Sequence, residues 1–144
     1  MDVVTQPDGK IIGATVVRVD AVISERHLMF RLLENGMPDA SYGSAGFRFH
    51  GSETTRGQLF AAAVQPDQKL LFFGLINPTN MFLARYNPDG STDFAFGDGG
   101  SVAVPLTVIH NNELLRIDTV AGRVIVAATS VDVLGTLAVA RYWL

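Results

Sequence analysis

Apolar positions along the chain come in short runs, each closed by turn chemistry. Val3-Val-Thr-Gln6 leads into Pro7-Asp8-Gly9, and Lys10-Ile-Ile-Gly-Ala-Thr-Val-Val17 follows. β-Branched residues favour strands, Pro presets φ and Gly permits a positive φ, so a hairpin turning at residues 7–9 is predicted. His27-Leu-Met-Phe-Arg-Leu-Leu33 reads as a third strand, ended by Glu34-Asn-Gly-Met-Pro-Asp39. After the loop Tyr42–Gly46, the alternation of Phe47-Arg-Phe-His50 gives a short fourth strand. Glu25, Arg26, Leu28, Met29, Leu32 and Leu33 also suit a helix, and periodicity alone does not separate the two in so short a run.

The pattern recurs, and the recurrence decides for strands. Leu59–Gln65, the turn Pro66-Asp67-Gln68 and Lys69–Ile76 repeat the opening hairpin; Met81–Tyr86, Asn87-Pro-Asp-Gly90, the glycine-rich Phe94–Gly100 and Ser101–Leu106 repeat the rest. A third copy runs through Leu114–Val120, Ala121-Gly122, Arg123–Thr129 and Thr136–Leu144, without the last turn and fourth strand. Gly36, Asp39, Gly43 and Gly46 correspond to Gly90, Asp93, Gly97 and Gly100 at one offset of 54. Arg31 corresponds to Arg85 and Arg141, and Lys10 to Lys69 and Arg123. Roughly 50 residues carrying about four short strands describes a propeller blade. The predicted fold is all-β: three four-stranded blades, the last one a strand short, in a single repeat domain over residues 1–144, at about 1–51, 57–107 and 112–144.

These residues resemble the delta-60 repeat, a bacterial tandem repeat. The second copy carries the likeness best, in Gln65-Pro-Asp67, Lys69, Leu83–Asn87, Asp89-Gly-Ser91, Asp93, Phe96-Gly97 and Gly99-Gly100. The resemblance implies a propeller-like array in surface or secreted bacterial proteins, and hence an extracellular or cell-surface setting. It implies no activity. By analogy with other propellers, the strand holding Ala61-Ala62-Ala63 is expected innermost and Ser101–Leu106 outermost.

Three blades do not close a ring, since propellers have four to eight. Three arrangements answer the count: a homodimer closing a six-bladed ring, neighbouring repeats in a longer chain, or packing as a β-sandwich. The hydrophobic content of 48% against 17% charged residues suits the first two, in which apolar blade faces meet another blade. The edge at Tyr142-Trp143-Leu144, where no fourth strand follows, is the place to seek a partner.

A net charge of −3 without a basic cluster argues against nucleic acid. No apolar run reaches the ~18 residues of a membrane helix, so no membrane insertion is predicted. The N-terminal stretch shows no signal peptide. The absence of cysteine removes disulfides and thiolate chemistry. His27, His50 and His110 fall at unrelated repeat positions and share no metal-ligand spacing. Asn87–Asp93 only faintly resembles a calcium loop, and Gly97–Gly100 lacks the helix and Lys-Ser/Thr of a phosphate loop. No catalytic residue, cofactor or metal is predicted.

A residue repeated in every copy serves architecture, because a reaction needs its site only once. Arg31, Arg85 and Arg141, Asp39 and Asp93, Gly36 and Gly90, and Gly43 and Gly97 are therefore read as structural. Arg31 is expected to reach Asp39, and Arg85 to reach Asp93. The aromatics Phe30, Phe47, Phe49, Phe72, Phe73, Phe82, Phe94 and Phe96 are assigned mostly to the blade core or to packing between blades, with a carbohydrate-stacking surface as the minor alternative. The function expected is a non-catalytic scaffold or binding surface. The alternative is a propeller hydrolase or lyase whose axial acids and amides would be Asp2, Gln58 and Glu113.

Overall fold

Eleven strands, in three antiparallel sheets, make up the regular structure of the computed structural model, which describes residues 2–18, 25–50, 57–76, 80–105, 116–120, 123–129 and 137–143. The described residues contain no helix. Blade 1 is β1 (Asp2–Thr5), β2 (Ile11–Arg18), β3 (Glu25–Leu32) and β4 (Phe47–His50), paired in chain order. Blade 2 is β5 (Gly57–Val64), β6 (Leu70–Ile76), β7 (Asn80–Tyr86) and β8 (Ser101–Val104), again in order. The third sheet holds β9 (Arg116–Val120), β10 (Arg123–Thr129) and β11 (Leu137–Trp143). The helix-compatible run ends up as β3, because its side chains alternate between the buried face shared with blade 2 and a half-buried opposite face, a two-residue period that only a strand serves. β8 stops at Val104, one residue before Pro105, which has no N–H for the ladder. The predicted turn at Ala121-Gly122 and most of the loop at 77–80 lie outside the described residues.

Cross-strand partners share a face, so the registers sort the side chains. In blade 1 Met29 pairs with Ala14, and Arg31 with Ile12. In blade 2 Leu83 pairs with Phe73, and Arg85 with Leu71. These form what we call the arginine face of each blade. The opposite face holds Leu28, Phe30 and Phe47 in blade 1, and Phe72, Phe82, Ala84 and Tyr86 in blade 2.

The first strands lie side by side: β5 packs beside β1 and β2 on one flank and β9 on the other. The arginine face of blade 1 consequently meets the opposite face of blade 2. Ile12, Ala14, Met29 and Tyr42 form one core with Ala62, Leu70, Phe72, Phe82, Ala84 and Tyr86, all buried. A second core lies on the arginine face of blade 2 and gathers Ala61, Leu71, Phe73, Met81, Leu83, Phe96 and Val104. Buried side chains of this size each contribute about 1.5–3 kcal/mol, so the stacking of blade on blade carries much of the stability.

The two blades fill the opposite face from different strands. In blade 1 the Phe30 ring covers Gly13 so closely that a Cβ there would overlap it. In blade 2 the paired positions are Phe72 and Ala84, with the large residue on the second strand and the small one on the third. The exchange keeps the paired volume while moving the ring, as close packing allows.

The aromatic assignments divide. Phe72, Phe73, Phe82 and Phe96 are buried, but Phe47, Phe49 and Phe94 are 40%, 38% and 77% exposed. Phe94 therefore lies outside the core in which the sequence places it, on the tight loop after Asp93.

Candidate functional site

The repeated polar residues converge on one cluster in each complete blade. The backbone builds it first. The Arg31 N–H donates to Gly46 O at 2.9 Å and the Asp39 N–H to Arg31 O at 2.9 Å. In blade 2 the Arg85 N–H donates to Gly100 O at 2.9 Å and the Asp93 N–H to Arg85 O at 3.1 Å. Gly43 and Gly97 turn this loop at φ of 54° and 60°, and a Cβ would overlap the Phe47 and Ser101 carbonyls respectively. A side chain there meets fixed backbone, so the loop requires glycine.

Held on that loop, the carboxylates meet cations. Arg31 Nε donates to Asp39 Oδ2 at 2.9 Å, and Arg85 Nε to Asp93 Oδ2 at 2.6 Å, with all four side chains at most 10% exposed. Lys69 Nζ adds a contact to Asp93 at 3.0 Å, and Lys10 Nζ stands 3.7 Å from Asp39. The guanidiniums lie over aromatic rings, Arg31 over Tyr42 at 4.9 Å and Arg85 over Phe96 at 4.6 Å. Hydrogen bonds from Ser41, above all from its hydroxyl, hold the Asp39 carboxyl down to about 2. At Asp93 burial pushes the carboxyl up, but hydrogen bonds from Lys69, the Ala95 N–H and Arg85 outweigh it and leave the group lowered. Both stay ionised and paired, which is the state a brace needs and a proton-transferring acid does not.

The lysines and the rings were legible only as repeat positions. Lys10 and Lys69 follow the Pro-Asp turn by two residues, and Tyr42 and Phe96 follow the Asp by three. That regular spacing was their signal. Arg141 sits on β11 in register with Ile125, and is exposed. Tyr142 and Trp143 pair with Val124 and Arg123 on the same ladder, while Leu144 lies outside the described residues.

Between the blades lies a second polar set. Arg31 Nη1 also donates to the Pro88 carbonyl of blade 2, and the Gly43 N–H donates to Asp89 O at 2.8 Å. Tyr42 packs on Gly90, where a Cβ would come within 2.9 Å of the ring. Gly36, the counterpart of Gly90 in blade 1, has open space beside it. Nearby, His27 and His50 pair across β3 and β4 and stack at 5.9 Å between ring centroids. Phe82 of blade 2 stacks on His50 at 4.8 Å, and the Tyr86 hydroxyl bonds His50 Nδ1. Burial, then electrostatic repulsion from the His27 and Arg48 side, lowers His50 to about 4, while burial raises the Tyr86 hydroxyl above its usual value. A neutral imidazole accepts at Nδ1 from a protonated phenol, so both shifts match the contact. In the sequence His50 lies three residues from Glu53 and His110 three from Glu113, spacings open to a weak acid–base pair; Glu53, His110 and Glu113 lie outside the described residues.

Asp2 accepts the Ala62 N–H at 2.7 Å and so links blade 1 to blade 2. Gln58 is on β5. In the 87–93 loop Asn87 donates its amide to Ser91 Oγ at 2.9 Å, and Asp89 accepts the Ser91 N–H at 2.8 Å. Asp93 already faces two cations, which repel a third. Among the described residues no three His, Asp or Glu side chains gather as metal ligands do. A cleft of about 650 Å³ opens at the rim between the blades, lined by Arg26, Ser41, Phe47, Arg48, Phe49 and Asp89 among others. Cations and rings make up much of its wall, and the Ser41 hydroxyl at its edge donates to Asp39 Oδ1 at 2.6 Å.

A family model described as "Domain of unknown function (DUF5122) beta-propeller" matches residues 65–96, from the buried Gln65 to the buried Phe96. No curated protein and no solved structure matches the chain. The match covers the Pro-Asp turn, the arginine brace and the Asp93 loop, and with the four-stranded antiparallel sheets it supports a β-propeller repeat family built of blade-like units.

Proposed function

We propose that the chain is a non-catalytic β-propeller-type module of delta-60 character that serves as scaffold and interaction surface. One observation carries this: the most elaborate polar cluster occurs twice, with the same partners at the same repeat positions. Duplicated geometry and ionised, paired carboxylates speak for bracing. The partner surfaces are blade faces and the β11 edge at Tyr142 and Trp143, offered to a second copy or to neighbouring repeats.

Asp39→Asn and Asp93→Asn test the reading. Each substitution leaves a buried arginine short of its counter-ion, which costs about 3 kcal/mol or more. Both variants are expected to lose stability by similar amounts in urea titrations. A variant as stable as the parent would mean that its carboxylate is not a brace, and would reopen a chemical role for it.

A further inference from the structure

Among the described residues, blade 1 leaves uncovered the face that in blade 2 is buried. Phe82, Ala84 and Tyr86 are at most 5% exposed on that face. Their counterparts Leu28, Phe30 and Leu32 are half-buried, and beside them Val3, Phe47 and Phe49 are 49%, 40% and 38% exposed. The turn at the rim repeats the contrast. Gly90 is buried beneath Tyr42 of the preceding blade, and Pro88 receives Arg31. Their counterparts Gly36 and Glu34 are exposed, beside a cleft of about 430 Å³ that Asp8, Lys10, Leu33 and Asn35 help to line.

We propose that this face of blade 1 is a docking surface for the third blade of a second copy, with Arg141 seated on the 33–36 turn as Arg31 is seated on 87–90. The inference rests on the module reading above and names its partner. The interface inside the chain supplies the template: an arginine face stacks on an opposite face, and the arginine reaches the next blade's turn carbonyl. Arg141 occupies the repeat position of Arg31 and Arg85, which are buried, yet it is exposed. The socket also complements it in charge. Asp8 is held by Lys10 at 3.0 Å, while Glu34 lies exposed at the site. Each copy therefore presents one donor end and one acceptor end. Two junctions of this kind close six blades by two-fold symmetry, within the range that propellers adopt.

Sedimentation and light scattering of the whole chain test the proposal. A dimer of twice 15.5 kDa is expected. Phe47→Glu with Phe49→Glu places charge on an exposed edge strand and is expected to give monomers with unchanged far-UV circular dichroism. Arg141→Glu is expected to raise the dimer Kd at least tenfold, and adding Glu34→Arg to restore it. The proposal is overturned by a monomeric parent, which would assign the face to a neighbouring repeat, by a dimer indifferent to the Phe47/Phe49 pair, or by charge reversal without effect on Kd. None of these outcomes touches the bracing role of Asp39 and Asp93, which the urea titrations decide separately.

Discussion

Blades 1 and 2 share their strand order, their Asp loop and their arginine brace, and they differ in what lies against one face. In blade 2 that face holds Phe72, Phe82, Ala84 and Tyr86 in a continuous core with blade 1. In blade 1 the same positions hold Gly13, Leu28, Phe30 and Leu32, and nothing among the described residues stacks on them as a further blade. A blade closes its strand ladder and its brace locally, adds a few hydrogen bonds to its neighbour, and is incomplete in burial. Its backbone ladder and its Arg–Asp pair close within one copy of the repeat. Its apolar faces close only against a neighbour, as in other stacked repeats.

The largest difference between the blades is expected on removing one ring from each. Phe72→Ala empties a fully buried site and is expected to cost about 3–5 kcal/mol. Phe30→Ala, measured on protein dilute enough to be monomeric, removes a half-buried ring and is expected to cost about 1–2 kcal/mol. Equal costs in urea unfolding would mean that the two faces are equally covered and the contrast is wrong.

Acid separates the two kinds of contact, because the interface between the blades and the braces titrate in different windows. His50 has its folded pKa lowered to about 4, below an unfolded value of about 6.5. The folded state binds that proton more weakly, so this contribution is complete above about 6.5 and is lost as pH falls toward 4. Asp39, lowered to about 2 from an unfolded value of about 3.9, contributes fully above the latter and loses its contribution as pH falls through about 2. Asp93 shifts in the same direction. Thermal melting from pH 7.5 to pH 2 should therefore decline in two stages. His50→Gln should flatten the upper stage and leave the lower one; if both stages persist, the contact between His50 and Tyr86 does not couple the blades to pH.

The smallest effect concerns two departures from the repeat. Ala45 and Gln68 stand where the sister copies have Gly99 and Gly9, and both keep a positive φ, of 52° and 66°. The left-handed region costs a residue with Cβ roughly 1–2 kcal/mol, and glycine's extra chain entropy offsets part of the relief. Ala45→Gly is expected to stabilise blade 1 by up to about 1 kcal/mol in the same urea assay. A loss would mean that the loop tolerates this alanine without strain.

Much of the local architecture was legible in the residues. Pro and Gly marked the turns, apolar alternation marked the strands, and the common offset of 54 set the loop glycines, Arg31, Arg85, Asp39 and Asp93 in register. These are short-range properties, fixed by steric limits on φ and by the two-residue period of a strand. The Arg–Asp braces were foreseeable for the same reason, since eight residues around one turn bring the pair together. The lysines and rings around them were visible only as coincidences of spacing.

What the tertiary structure alone decided is which blade surface meets which. Nothing in the run Leu28-Met-Phe30 shows that Met29 lies in an inter-blade core while Phe30 folds over Gly13 at the uncovered face. Nothing in His27 and His50, 23 positions apart, shows that they stack beneath Phe82. Contacts between blades join positions about one repeat apart in the chain, and no local pattern encodes them. They follow from how two twisted sheets stack, so the repeat determined the blade, and the stacking determined which of its faces is left uncovered among the described residues.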